Sequence, residues 1–97
     1  MEVRFKDDSL DRLEVEQGDG GYPAGVARAF RKRLEAIRAA RDERTFYQMK
    51  SLHFEKLSGD LEGQHSMRLN DQYRLILEFE GRASDKVVVL VKIEDYH

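Results

Sequence analysis

Val26, Phe30, Leu34 and Ile37 recur at spacings of four, four and three. That rhythm puts one apolar face on a helix and predicts its burial against a core. The helix is expected to end near residues 40–44, and residues 45–50 to add one further short turn or helix. Upstream, Val3 and Phe5 alternate with charged residues, the pattern of a short edge strand. Asp8 or Ser9 can cap a short helix carrying Leu10 and Leu13, and Gly18 can end it. Gly18-Asp19-Gly20-Gly21 reads as a flexible turn, after which Pro23 suits the first turn of the second helix.

Beyond residue 50 the period changes from helical to alternating. Leu52–Leu57 and His65–Leu69 read as strands, with Asn70-Asp71 as a tight turn between the second of these and the next. From Gln72 to Glu80, Tyr73, Leu75, Leu77 and Phe79 take one face, and Arg74, Ile76 and Glu78 the other. Val87–Ile93 is the most apolar run and therefore the expected central strand. The simplest hairpin register about Asn70-Asp71 sets Arg68 opposite Tyr73 and Met67 opposite Arg74. Helices followed by a meander imply an α+β domain, with two N-terminal helices packed on one face of a twisted antiparallel sheet and the other face partly open. Neither a repeat nor a linker divides the chain, so residues 1–97 are expected to form a single domain.

Composition narrows the functional classes. The 97 residues contain no cysteine, which removes disulfides and thiolate metal sites and fits a reducing compartment. No apolar run approaches the roughly 20 residues that span a bilayer. Met1–Phe5 lacks the apolar stretch of a signal peptide, and the chain turns acidic at Asp7-Asp8; a cytoplasmic protein with no membrane association is expected. Net charge is −2, but it is unevenly spread. Residues 28–44 carry 7 bases against 3 acids, including Arg28, Arg31, Lys32, Arg38 and Arg41. Such asymmetry marks either an anionic partner such as RNA or the solvated face of a helix.

The candidate chemistry collects in the second half. Asp95-Tyr96-His97 follows directly on the last strand and brings an acid, a phenol and an imidazole to one end of the sheet. Histidine is the side chain whose ordinary pKa lies near neutrality. His53 and Lys56 stand three apart, so in a regular strand they point to opposite faces, while Arg68 and Arg74 both face away from the core. Guanidinium groups match phosphate oxygens and do not deprotonate. Beside an imidazole, a phenol and an amine they suit phosphodiester cleavage through the ribose 2′-hydroxyl, with a base, a cationic stabiliser and an acid. The three histidines, at 53, 65 and 97, lack the spacing of a zinc site, and no metal or other cofactor is expected. Phosphate-binding glycine loops and nucleophile elbows are also missing from the sequence.

Three ordered blocks resemble the HigB group of toxins within the RelE/ParE superfamily. They are Leu52-His53-Phe54-Glu55-Lys56-Leu57-Ser58-Gly59-Asp60, the run from Gly63 through Ser66-Met67-Arg68-Leu69-Asn70 to Tyr73-Arg74-Leu75, and Ile93-Glu94-Asp95-Tyr96-His97. The resemblance implies a RelE-like α+β fold and ribosome-dependent cleavage of mRNA. It also implies neutralisation by a HigA-type helix-turn-helix antitoxin, with operator DNA met only through the antitoxin complex. Carried over by position, the active-site candidates are His53, Lys56, Arg74, Asp95, Tyr96 and His97, with Arg68 as a further RNA-binding position. Tyr73 departs from a tryptophan common in the family, Phe54-Glu55 disturbs the pattern before Lys56, and the chain is more acidic than such nucleases usually are. Two other readings are a non-catalytic ParE-like toxin acting on a topoisomerase and an attenuated toxin working mainly in an autorepressing antitoxin complex.

Overall fold

The computed structural model describes residues 1–59, 63–82 and 85–95. The elements run β1 (Glu2–Phe5), α1 (Asp8–Val15), α2 (Val26–Ala39), α3 (Arg44–Gln48), a single 3₁₀ turn (Lys50–Leu52), β2 (Glu55–Lys56), β3 (Gln64–Arg68), β4 (Tyr73–Glu80) and β5 (Val87–Asp95). One sheet holds the five strands in the order β1-β5-β4-β3-β2. β2 to β5 form the expected antiparallel meander. β1 joins it parallel to β5, so the sheet is mixed rather than wholly antiparallel. The reason is topological: the helices carry the chain from β1 to β2 at the opposite edge, and after three antiparallel connections β5 runs in the direction of β1 and pairs beside it. β5, paired on both sides, is an inner strand, as its apolar run predicts.

The helical stripe is buried as read: Val26, Phe30, Leu34 and Ile37 pack with Leu10 and Leu13 from α1 and with Met67, Leu75, Leu77, Val88 and Leu90 from the sheet. Full burial of each such side chain is worth about 1.5–3 kcal/mol. Capping differs in detail from the sequence reading. Asp7, not Asp8 or Ser9, caps α1, its carboxylate accepting from Ser9 N–H at 2.8 Å. Pro23 lies before α2 and accepts at its carbonyl from Val26 N–H, while Gly25, at φ 89°, is the residue that turns the chain into the helix.

Two register differences matter for the site. Arg68 lies opposite Arg74, and Met67 opposite Leu75, one residue from the simplest hairpin register. Pairing Met67 with Arg74 would have set an apolar side chain and a charged one on the same face; the observed register keeps apolar partners together. The Asn70 side chain holds this wider loop by accepting from the N–H groups of Gln72 (2.9 Å) and Tyr73 (2.7 Å). The second difference is a bulge in β5. Ile76 pairs with Lys92 but Leu77 with Leu90, which leaves Val91 as the extra residue. Leu90 and Ile93 are three apart and would face opposite ways on a regular strand; the bulge lets both meet the core.

The predicted strand from Leu52 to Leu57 is mostly absent. Leu52 closes the 3₁₀ turn, and His53 adopts a left-handed backbone (φ 44°, ψ 51°), leaving only Glu55–Lys56 extended. Burial explains the exchange, because the turn drops Leu52 into the core at 1% exposure. The face away from the helices is not bare: Ser66, Ile76 and Val89 are buried there beneath long charged side chains. Lys6 pairs with Glu78 at 2.7 Å, and Arg4 pairs with Glu80. These stems cover the apolar strip while their charged ends stay in water.

Candidate functional site

The helix-free face carries a row of charge set by strand pairing. Arg74 on β4 stands between Arg68 on β3 and Glu94 on β5. Two guanidinium groups side by side repel, and each is answered by an acid. Arg74 gives both Nε (2.7 Å) and Nη2 (2.6 Å) to one Glu94 oxygen. The other Glu94 oxygen lies 3.4 Å from Lys92 Nζ. Burial alone pushes the Glu94 carboxyl pKa up; the hydrogen bonds and charges of Arg74 and Lys92 outweigh it and hold the group below the usual carboxylate range. Arg68 pairs with Asp71, donates to the Asn70 carbonyl at 3.3 Å, and its own carbonyl accepts from Arg33 Nε at 2.9 Å. Arg33 is half-buried, and burial, then the charge of Arg68, pushes its pKa down.

The candidates read from sequence are only partly assembled by these strands. His53 is exposed and stands just ahead of β2, whose Glu55 faces Ser66. Lys56 is exposed but pairs with His65, so it shares the face of the core and not that of Arg74. Asp95, opposite Tyr73, is exposed and accepts from Gln72 Nε2 at 3.3 Å. Tyr96 and His97 lie outside the described residues. Among the described residues, no group of three His, Asp or Glu side chains is arranged to hold a metal ion.

The proposed basic stripe on α2 divides by use. Arg31 reaches across to α1 and donates to the carbonyls of Leu13 (3.0 Å), Glu16 (2.8 Å) and Gly18 (2.7 Å). It therefore closes the C-terminal end of α1, where carbonyls without helical partners favour a cation. Arg38 forms a two-pronged pair with Glu14 at 2.9 and 2.8 Å. Those two guanidiniums are engaged by α1 and the turn after it, Arg38 while still exposed. Arg28, Lys32 and Arg41 are exposed and keep that reading open.

Sequence reasoning passed over Glu94, Arg33 and the bulge. The one available signal was the spacing of three between Leu90 and Ile93, which a plain strand cannot place on one face. His65 is buried, with its ring stacked on Phe54 (5.2 Å, 8°) and edge-on to Phe79 (5.0 Å, 78°).

A family model described as the RelE-like toxin of the type II toxin-antitoxin system HigB matches residues 3–97. The chain belongs to the HigB-like toxins. It is 34% identical over 80 residues to Toxin HigB-1 of Vibrio cholerae serotype O1, a match spanning 81% of this chain and 84% of that one. The fold is that of a solved YoeB/ParE toxin from Agrobacterium tumefaciens, at TM-score 0.63, 20% identity and full coverage of both chains. As a HigB-like toxin of a type II system, the protein has an antitoxin as its partner. Among the described residues, no helix is long and apolar enough to cross a membrane.

Proposed function

We propose that this HigB-like toxin is a ribosome-dependent endoribonuclease that cuts mRNA in the cytoplasm and is neutralised by a HigA-type helix-turn-helix antitoxin, through which alone it meets operator DNA. The observation that carries the reading is the half-buried Arg74 guanidinium, oriented by Glu94 on the sheet face next to Arg68. In the proposed reaction a base takes the proton of the ribose 2′-hydroxyl. The 2′-oxygen then attacks the adjacent phosphorus, the bond from phosphorus to the 5′-oxygen breaks, and an acid returns a proton to that leaving oxygen. The products are a 2′,3′-cyclic phosphate and a 5′-hydroxyl. Arg74 stabilises the added negative charge on the phosphoryl oxygens, where an aimed cation acts most strongly. Proton transfer falls to His97 or Lys56, the latter paired with His65 and so on the opposite sheet face from Arg74. Tyr96 stacks on or hydrogen-bonds to the substrate, and His53 and Asp95 stand at its edge, Asp95 on the sheet face of its partner Tyr73.

A defined mRNA translated in a purified system, with and without the protein, tests this directly. Cut sites are mapped for wild type, Arg74→Ala and His97→Ala. Cleavage by wild type that both variants lose is the expected result. An intact mRNA with wild type removes the nuclease reading and leaves a binding-only toxin. Equal cutting by both variants removes the assigned site.

A further inference from the structure

Tyr47, Lys50, His53 and Lys56 stand at intervals of three on the segment that enters the sheet, and all four are exposed. Between them Leu52 and Phe54 are buried and Met49 is half-buried, while Gln48, Ser51 and Glu55 are exposed. The spacing has a local cause. A 3₁₀ helix has about three residues per turn, so side chains three apart align. The turn over Lys50–Leu52 closes with His53 N–H donating to the Lys50 carbonyl at 3.1 Å. His53 then takes its left-handed backbone, uncommon for a residue with a side chain, and redirects the chain into β2.

Tyr47 is 55% exposed, and among the described residues only Val15 is another large apolar side chain so far out. Unlike an isolated surface ring, it is held in place. Its ring meets Phe54 edge-to-face at 4.8 Å and 82°, Phe54 stacks on His65, and His65 is the strand partner of Lys56. A column of rings thus runs from the core to the surface, with an amine at its foot. Among the described residues, the nearby acids are committed or averted. Glu43 pairs with Lys86, Asp42 with Arg44, and Glu55 alternates onto the opposite sheet face from Lys56. An exposed, fixed aromatic ring followed along the same segment by two exposed amines matches a chain that alternates planar rings with anionic links.

We propose that Tyr47, Lys50 and Lys56 form a track for single-stranded RNA along the segment leading from α3 into the edge strand β2, with a base stacked on Tyr47 and neighbouring phosphates met by the two lysines. The track rests on the RNA-cleaving reading for its substrate class and adds Tyr47 and Lys50 to it as binding residues, sharing Lys56 with the candidate catalytic set. Stacking on aromatics tolerates any base, and lysine contacts to phosphate release counterions.

The test is fluorescence anisotropy of the full chain with a 2′-O-methyl single-stranded oligonucleotide of roughly eight nucleotides, a length within the usual range of such sites. It is run at several salt concentrations beside the translation assay. Tyr47→Ala is expected to weaken binding about 5- to 100-fold, with Tyr47→Trp restoring it. Lys50→Gln is expected to flatten the salt slope by about 0.7, the value for one phosphate contact on a single strand. Failure of wild type to bind the oligonucleotide, or unchanged affinity in Tyr47→Ala together with an unchanged slope in Lys50→Gln, overturns the track. Loss of antitoxin binding by Tyr47→Ala with full RNA affinity overturns it as well and gives the face to the antitoxin. Binding through Tyr47 with intact mRNA in translation sinks the nuclease reading and leaves the track standing. The reverse pattern, cutting with no dependence on Tyr47, sinks the track alone.

Discussion

Removing Arg74 tests the charge row and the chemistry together. The side chains of Arg74 and Glu94 are 17% and 25% exposed, so the pair lies between two limits. Exposed ion pairs are worth about 0–1 kcal/mol. Breaking a fully buried pair costs about 3–5 kcal/mol, much of it from the charge left behind. Glu94 would not be left wholly alone, because Lys92 Nζ sits 3.4 Å from its other oxygen. A coupling energy of about 1–2 kcal/mol between Arg74 and Glu94 follows, in line with charge-assisted hydrogen bonds. The assay is a double-mutant cycle with Arg74→Ala, Glu94→Ala and the pair, each followed by urea denaturation. For a domain of this size, 1 kcal/mol moves Tm by about 4–8 °C, so thermal melts report the same quantity. Arg74→Lys is informative as a fifth member: it keeps the charge, loses the fork, and should recover only part of the coupling. A coupling below about 0.5 kcal/mol would refute the claim that Glu94 holds the guanidinium in place. Strong coupling with undiminished mRNA cleavage in Arg74→Ala would leave the row purely architectural.

Two further outcomes follow from the same contacts. Burial pushes the His65 imidazole pKa down, Glu43 opposes this, and Lys56 and Lys86 add to it; the folded state therefore binds the proton less readily than the unfolded one. That contribution is fully present above the ordinary value of about 6.5 and is lost as pH falls through it towards the lower folded value. Tm should drop between about pH 7 and 5, and His65→Phe should flatten the drop; carboxylates such as Glu78 and Glu94, whose pKa values are lowered, act in a more acidic window. Arg31→Met should cost about 1–3 kcal/mol by chemical denaturation, since it removes charge-assisted donors from α1 carbonyls. The same change should leave the salt slope of RNA binding unaltered, whereas Lys32→Gln should flatten it, and the opposite pattern would reverse the roles given to these two neighbours.

Much of this molecule can be read along the chain. The stripe Val26, Phe30, Leu34 and Ile37 specifies a helix face because burial follows the 3.6-residue period whatever the partner. The runs in β3, β4 and β5 announce strands in the same way, and the ordered blocks around His53, Arg74 and Asp95 carry the family to which the chain belongs. Those features are local, so local sequence determines them.

Pairing is not local, and there the tertiary structure decided. Whether Arg68 meets Tyr73 or Arg74 depends on Asn70 bridging the loop and on Met67 seeking Leu75 across the strands. Whether Glu94 reaches Arg74 depends on Val91 standing out of the ladder, a choice forced by burying Leu90 and Ile93 on one side. Arg31 and Arg33 are two residues apart on one helix, yet one closes α1 and the other meets the Arg68 carbonyl. Composition marks all of these arginines as equally available to RNA. Their separation into structural and exposed sets comes from which carbonyls and carboxylates the folded chain leaves within reach, because an unpaired donor beside an unsatisfied acceptor is the costlier arrangement.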